Sequence, residues 1–395
     1  MLRQMLQAQA IKRRLWLFVG LAATGAVAVA LTVAYQQADP TAAQGEYPPL
    51  AALPPVPEPL DNPITPEKVE LGRLLFFDPR MSADGSISCN SCHSATTGYG
   101  ATTAISFGGP GTSHWRNAQT LLNTGYYSKL NWDGAKKSIE QQNSGAWGGA
   151  VAGNLDSALA EERLAQIPEY VERFRDVFGT KYPLWDDALR AVATYQRTLV
   201  SQAVPFDAFL AGDDAAISDA AKNGFELFQG KAGCMACHHG ALVSDDSYHA
   251  TGVPVNPELL SSPLKQITFR YEQWAKGATE DVYRTTSEDL GLYYVTKQDI
   301  DRGKFRTPSL RDLCYTAPYM HNGVFPTLAE VVAFYNQGGG DPPNKDELIN
   351  PLDLTEAEQS DLIAFLESLC GEQVSDEAPE LPPYGVLPAP EEGEQ

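Results

Sequence analysis

Two five-residue stretches, Cys89–His93 (CNSCH) and Cys234–His238 (CMACH), restrict what this chain can fold into more than any other feature. Two cysteines three positions apart, followed directly by histidine, form the pattern for covalent attachment of c-type haem. The thiols add to the porphyrin vinyl groups, and the histidine ring reaches the iron as its proximal ligand. Zinc sites want four Cys or His ligands, and Cys-x-x-Cys pairs also occur in redox folds, so one such motif would leave the matter open. Two in one chain point to two covalently bound haem c groups, carried by Cys89, Cys92, His93, Cys234, Cys237 and His238.

The flanks repeat as well. GRLLF (Gly72–Phe76) precedes the first site and GFELF (Gly224–Phe228) the second, as expected of a duplicated unit in which a helix runs into the cysteine-bearing loop. Thr65 and Pro66 read as N-cap and first helical residue of the stretch that opens the first unit. Further helices are expected over 156–178, 186–201, 218–228, 327–336 and 356–369, the last with Thr355 and Glu358 spaced as a capping box. Strand signals are sparse. The expected fold is mostly α: two cytochrome c-like haem domains with long loops, preceded by an N-terminal transmembrane helix.

That anchor is read from Lys12, Arg13 and Arg14 followed by an apolar run from Leu15 to Tyr35, about the length a bilayer requires. The basic flank stays in the cytoplasm, so the rest of the chain is expected in the periplasm, anchored to the inner membrane; a cleaved signal peptide is the rival reading. The expected organisation is an anchor or signal segment over 1–36, a Pro-rich extended linker over 37–63, haem domains over 64–203 and 204–371, and an acidic Pro-rich tail over 372–395. The tail has no Lys or Arg and is expected to be a mobile end. The net charge of −21 argues against nucleic acid as a partner and suits a basic electron donor.

With two haem motifs some 145 residues apart, and the segments RNAQTLLN, WDG, TPSLRD and TAPYMHNG, the chain resembles the bacterial dihaem cytochrome c peroxidase family, and within it the MauG-like branch. The resemblance covers roughly 63–371. It implies an N-terminal haem that meets hydrogen peroxide and a C-terminal haem that relays electrons. It places Trp132 between the haems, where an indole can be oxidised transiently and split one long electron transfer into two hops. It assigns Gln142 to the distal pocket, and to Asn117, Thr316 and Pro318 the oxygen atoms that hold a calcium ion, a cation that accepts neutral oxygen ligands readily.

Leu328, Val331, Val332 and Tyr335 share one helix face, and periodicity alone makes Tyr335 a core residue more readily than a ligand. The resemblance puts Tyr335 at the position of the second axial ligand of the C-terminal haem, and the MauG-like branch is similar in having tyrosine there. Met320 and His321 fall elsewhere. The histidine that can close the N-terminal haem in relatives falls near Gly109, which implies an open site, with His114 five residues on as an exposed loop residue able to swing in. The family's catalytic glutamate falls near Ala152, in a stretch with no carboxylate, which leaves Asp156 or His114 as substitutes.

The expected function is that of a periplasmic dihaem peroxidase drawing electrons from a small cytochrome or cupredoxin. The alternatives are a MauG-like enzyme oxidising side chains of a partner protein, and a non-catalytic electron-transfer cytochrome. Cys314 and Cys370 are left over, and an even remainder in an oxidising compartment is expected to pair, with two buried free thiols as the other reading.

Overall fold

Helix α1 (Pro66–Phe77) starts as its sequence predicts, with the Thr65 side chain accepting a hydrogen bond from the Lys68 amide and Pro66 at its first position. It belongs to a computed structural model that describes residues 47–109 and 111–385. The other helices are α2 (Cys89–Cys92), α3 (Ile139–Gly148), α4 (Ser157–Ala165), α5 (Pro168–Phe178), α6 (Trp185–Arg197), α7 (Pro205–Leu210) and α8 (Asp219–Gln229). After them come α9 (Pro257–Ser261), α10 (Pro263–Ala275), α11 (Glu280–Thr285), α12 (Tyr293–Thr296), α13 (Leu328–Asn336) and α14 (Glu356–Ser368). The described strands are two residues each, β1 (Tyr248–His249) and β2 (Phe305–Arg306), paired antiparallel.

Two large hydrophobic cores form beside three smaller clusters among the described residues. One draws on α1, α4, α5 and α6, the other on α8, α13 and α14 with Leu50 added from the N-terminal segment. The repeated pentapeptides explain how each is built. A Cβ at Gly72 would sit 2.0 Å from the Ala191 carbonyl oxygen of α6, and one at Gly224 would sit 2.0 Å from the Asp361 carbonyl oxygen of α14. Each glycine lets its helix cross the partner at backbone contact. Four residues on, Phe76 packs against Tyr195, and Phe228 against Phe365.

The duplication continues past the point where sequence spacing hides it. Asn123 and Asp312 both adopt left-handed backbone (φ 62° and 60°) and each precedes a single 3-10 turn. The bridges Leu130–Lys136 and Tyr319–Phe325 correspond, and they make Trp132 the counterpart of His321. These counterparts meet. The Asn117 amide donates to the His321 carbonyl and the Arg306 amide to the Trp132 carbonyl, both at 2.8 Å, while the Trp132 and His321 rings lie edge to face at 6.5 Å. Because 117 pairs with 321 as 306 pairs with 132, the junction has approximate two-fold symmetry. Helices α9–α12 are an insertion of the second half, placed between β1 and β2.

Several expectations are corrected. The helix expected over 156–178 is two, because Pro168 cannot donate to the preceding turn and disfavours helical backbone at Ile167. The helix expected to end at Ser201 stops at Arg197. The tail is ordered through 385: Asp376 accepts from Arg73 and Tyr195, and Arg80 donates to the Pro382 carbonyl. The 47–63 stretch is extended but bound, since the Ala51 and Pro54 carbonyls accept from Arg311 and Tyr126. The expected transmembrane helix is not supported: among the described residues no helix is long and apolar enough to cross a membrane, and the run 15–35 lies outside them. What stands of the expected fold is its mostly helical character.

Candidate functional site

A cavity of about 830 Å³ is lined by both cysteine motifs with their histidines, by Trp132, Gln142 and Tyr335, and by Asn117, Thr316 and Pro318. The residues singled out in the sequence thus share one space, although they span 247 positions from Cys89 to Tyr335.

The histidines are set for ligation by their backbone surroundings. Nδ1 of His93 lies 2.9 Å from the Gln119 carbonyl and 3.3 Å from that of Tyr99. Nδ1 of His238 lies 3.1 Å from the Val243 carbonyl. A carbonyl only accepts, so each Nδ1 carries the proton and each Nε2 keeps its lone pair for a metal. Burial lowers the pKa of both, that of His238 to about 4, which keeps the rings neutral as a ligand must be. Burial also pushes the Cys89 and Cys234 thiols up to about 12, so at neutral pH they are poor thiolate ligands for zinc.

Helix α3 carries three buried polar atoms without a hydrogen-bond partner: Gln142 Oε1, Asn143 Nδ2 and Trp147 Nε1. All three residues line the cavity. Orphaned buried groups are costly unless something else satisfies them, so the site fits a large bound group with polar atoms or water at its edge. The counterpart of α3 is α13, whose capping box of Thr327 and Glu330 fixes where the helix starts. Counting from the N-caps Ser138 and Thr327, Tyr335 corresponds to Ala146, which has nothing to offer a metal. Burial pushes the Tyr335 hydroxyl up to about 12, so a phenolate there forms only beside a strong positive charge.

Trp132 donates through Nε1 to the Asn117 carbonyl at 2.9 Å. The Asn117 side-chain nitrogen donates to the Thr103 and Ala104 carbonyls, which leaves its Oδ1 without a hydrogen bond among the described residues. Next to this pair, Arg116 is buried between Asp133 (2.8 Å) and Asp289 (2.9 Å). Its charge depresses both carboxyl groups, Asp133 to about 2.

Some readings of single residues change. His114 is not an exposed loop residue: its ring stacks on Trp115 at 4.3 Å and Nδ1 accepts from the Arg116 amide. Burial, then the charges of Arg116 and Lys276, lower its pKa to about 3. Asp156 is exposed and caps α4 through the Leu159 amide, so it is no substitute acid. The Gly109 and Ala152 positions do meet, a Cβ at Gly109 falling 2.5 Å from the Ala152 carbonyl oxygen. A cluster of Cys237, Asp245 and His249 could in principle hold a metal. However, Cys237 belongs to the second attachment motif, and His249 is clasped between Asp245 and Asp346. The bond Cys314–Cys370 is present, with Cα atoms 6.3 Å apart. Sequence reasoning missed Glu272 and Lys276 in the cavity wall, since both come from the insertion.

Residues 66–215 match the family described as di-haem cytochrome c peroxidase. The chain is 53% identical over 345 residues to the cytochrome-c peroxidase IdrP1 of Denitromonas iodatirespirans, covering 87% of this chain and 92% of that one. It is 37% identical over 330 residues to the methylamine utilization protein MauG of Methylorubrum extorquens, covering 83% and 85%. Among solved structures, a MauG-like protein associated with microbial copper homeostasis superposes with a TM-score of 0.69 at 30% identity, covering 82% of this chain and 94% of that one.

Proposed function

Since the chain belongs to the di-haem cytochrome c peroxidase/MauG family and is a dihaem peroxidase-type enzyme, we propose that it reduces hydrogen peroxide at the haem held by Cys89, Cys92 and His93. Cys234, Cys237 and His238 would hold the second haem, which would supply the route by which electrons reach the first. The observation that carries this reading is the single cavity onto which both attachment motifs open, with Trp132 in its wall. The bound haems supply the redox-active iron.

The chain does the rest. The Gln119 and Val243 carbonyls hold His93 and His238 in the ligating tautomer. Gln142 and Asn143 offer an acceptor and a donor to orient a small oxygen ligand. Ala146 has no atom to offer a haem held at the first site, whereas the Tyr335 hydroxyl would be the second donor to a haem held at the second. The Asn117 carbonyl fixes the Trp132 ring, which can give up an electron and divide the transfer in two. Asn117, Thr316 and Pro318 are proposed to hold calcium, the free Asn117 Oδ1 supporting it. The two units are proposed as domains over 64–203 and 204–371. A periplasmic location is supported by the Cys314–Cys370 bond, which persists in oxidising compartments.

Oxidation of side chains in a partner protein is the second reading, favoured by Tyr335: an anionic oxygen donor stabilises high oxidation states, whereas a thioether raises the potential. The test is to mix the protein with peroxide and a reduced small cytochrome or cupredoxin. Two donor molecules oxidised per peroxide supports the first reading. Rapid spectral change with peroxide but no donor oxidation supports the second, and no reaction with peroxide overturns both.

A further inference from the structure

The cavity lacks a carboxylate where the family's count puts one, at Ala152, yet the wall is not without acid. Two acidic residues line it, Asp133 and Glu272. Asp133 is committed, bound to Arg116 at 2.8 Å and to Lys276 at 3.2 Å. Glu272 is free: among the described residues its carboxylate makes no hydrogen bond and no ion pair. The usual partner would be Lys276, four residues on along α10, but that ammonium is drawn away to Asp133 and over the Trp115 ring at 5.3 Å.

The direction of α10 fixes which part of the cavity Glu272 faces. Thr268 and Lys276 lie one turn to either side of it on the same face. Thr268 Oγ1 accepts from the Ser113 amide at 3.5 Å, and Lys276 reaches Trp115. Glu272 is therefore set against the 113–115 segment, whose loop also contacts Ala152 through Gly109. The insertion thus places a carboxylate in the wall of the same cavity that Ala152 lines.

Resting on the peroxide reading above, we infer that Glu272 is the proton carrier of this pocket, taking the proton from one oxygen of hydrogen peroxide and handing it to the other. The O–O bond breaks with its electron pair on the second oxygen, which leaves as water. The two electrons that the retained oxygen lacks come from the haem site, and Glu272 ends as it began, a carboxylate. Burial raises its pKa, opposed by Lys276 and Arg116, which is the direction that makes a carboxylate a better proton acceptor. His114, which also lines the cavity, stays neutral and cannot take the proton instead.

The test uses the holoprotein and two probes. Hydrogen cyanide must lose its proton as it binds ferric haem, so its association rate reports the same base without turnover. In Glu272→Gln both the peroxide rate and the cyanide association rate should fall by on the order of a hundredfold, with the haem content and ferric EPR spectrum unchanged. The rising limb of the pH profile should vanish, since of the groups around it Arg116 is held charged, and Asp133, Asp289 and His114 have pKa values lowered away from that range; Lys276 faces Asp133. Glu272→Asp should recover part of both rates. Rates within about twofold of the unaltered protein for both probes overturn the inference. A protein inert to peroxide whose cyanide association still depends on Glu272 overturns the peroxide reading and leaves the proton carrier standing.

Discussion

Replacing Arg116 by methionine removes one cation from between two buried carboxylates and keeps most of the side chain's bulk. Asp133 and Asp289 are almost fully buried, and Arg116 itself is 4% exposed. Asp289 would keep the Trp115 indole and the Gly291 amide as donors, and Asp133 would keep Lys276. Breaking such a pair by removing one partner costs about 3–5 kcal/mol, because the remaining charge stays buried. The pH dependence follows in sign. In the unaltered protein both carboxyl pKa values lie below the ordinary value near 3.9, so their contribution is present above that pH and lost only as pH falls towards about 2. The contribution of this carboxylate pair should therefore be flat between pH 7 and 5. In Arg116→Met the pKa of Asp289 rises instead, so the variant's loss relative to the unaltered protein should shrink as pH falls over that range. Urea denaturation followed by far-UV circular dichroism at pH 7 and pH 5 measures both effects. Adding Asp289→Asn should return much of the loss at pH 7. A loss below about 1 kcal/mol, or the same loss at both pH values, refutes the reasoning.

Three further outcomes are expected. Tyr335→Phe keeps the ring's packing and removes its oxygen, so one low-spin ferric signal should disappear while circular dichroism is unchanged; an unaltered spectrum refutes Tyr335 as ligand. The Cys314–Cys370 bond closes a sequence separation of 56 residues, and its loss in Cys314→Ala/Cys370→Ala should cost about 4 kcal/mol by chain entropy, read as a lower urea midpoint; an unchanged midpoint contradicts this. Denatured, unreduced holoprotein should show no titratable thiol, and two reactive thiols would exclude the bond.

Much of the site was legible because haem attachment is written in contiguous residues and helix starts are written in capping residues such as Thr65, Thr327 and Thr355. What was not legible depends on distance in the chain. Helix α3, with its glycines and polar run IEQQNSGAWG, has too weak an apolar period to stand out, yet it lines the cavity. The match of Trp132 with His321 is hidden because the insertion lengthens the repeat from 145 to 189 residues. Glu272 sits more than 150 residues from the segment it faces, so no local pattern could link them. His114 looked exposed because its place in the cavity wall, next to the segment that packs on α10 through Thr268 and Phe269, is a tertiary effect. The acidic tail was misjudged on composition: Asp376 finds Arg73 and Tyr195 waiting for it, and composition says nothing about such partners.

The central claim is one open haem beside one haem capped by Tyr335, and EPR of the ferric holoprotein before and after one equivalent of peroxide tests it most directly. The account predicts one high-spin and one low-spin signal at rest, with both changing on peroxide addition. Two low-spin signals at rest, neither altered by peroxide, would contradict it.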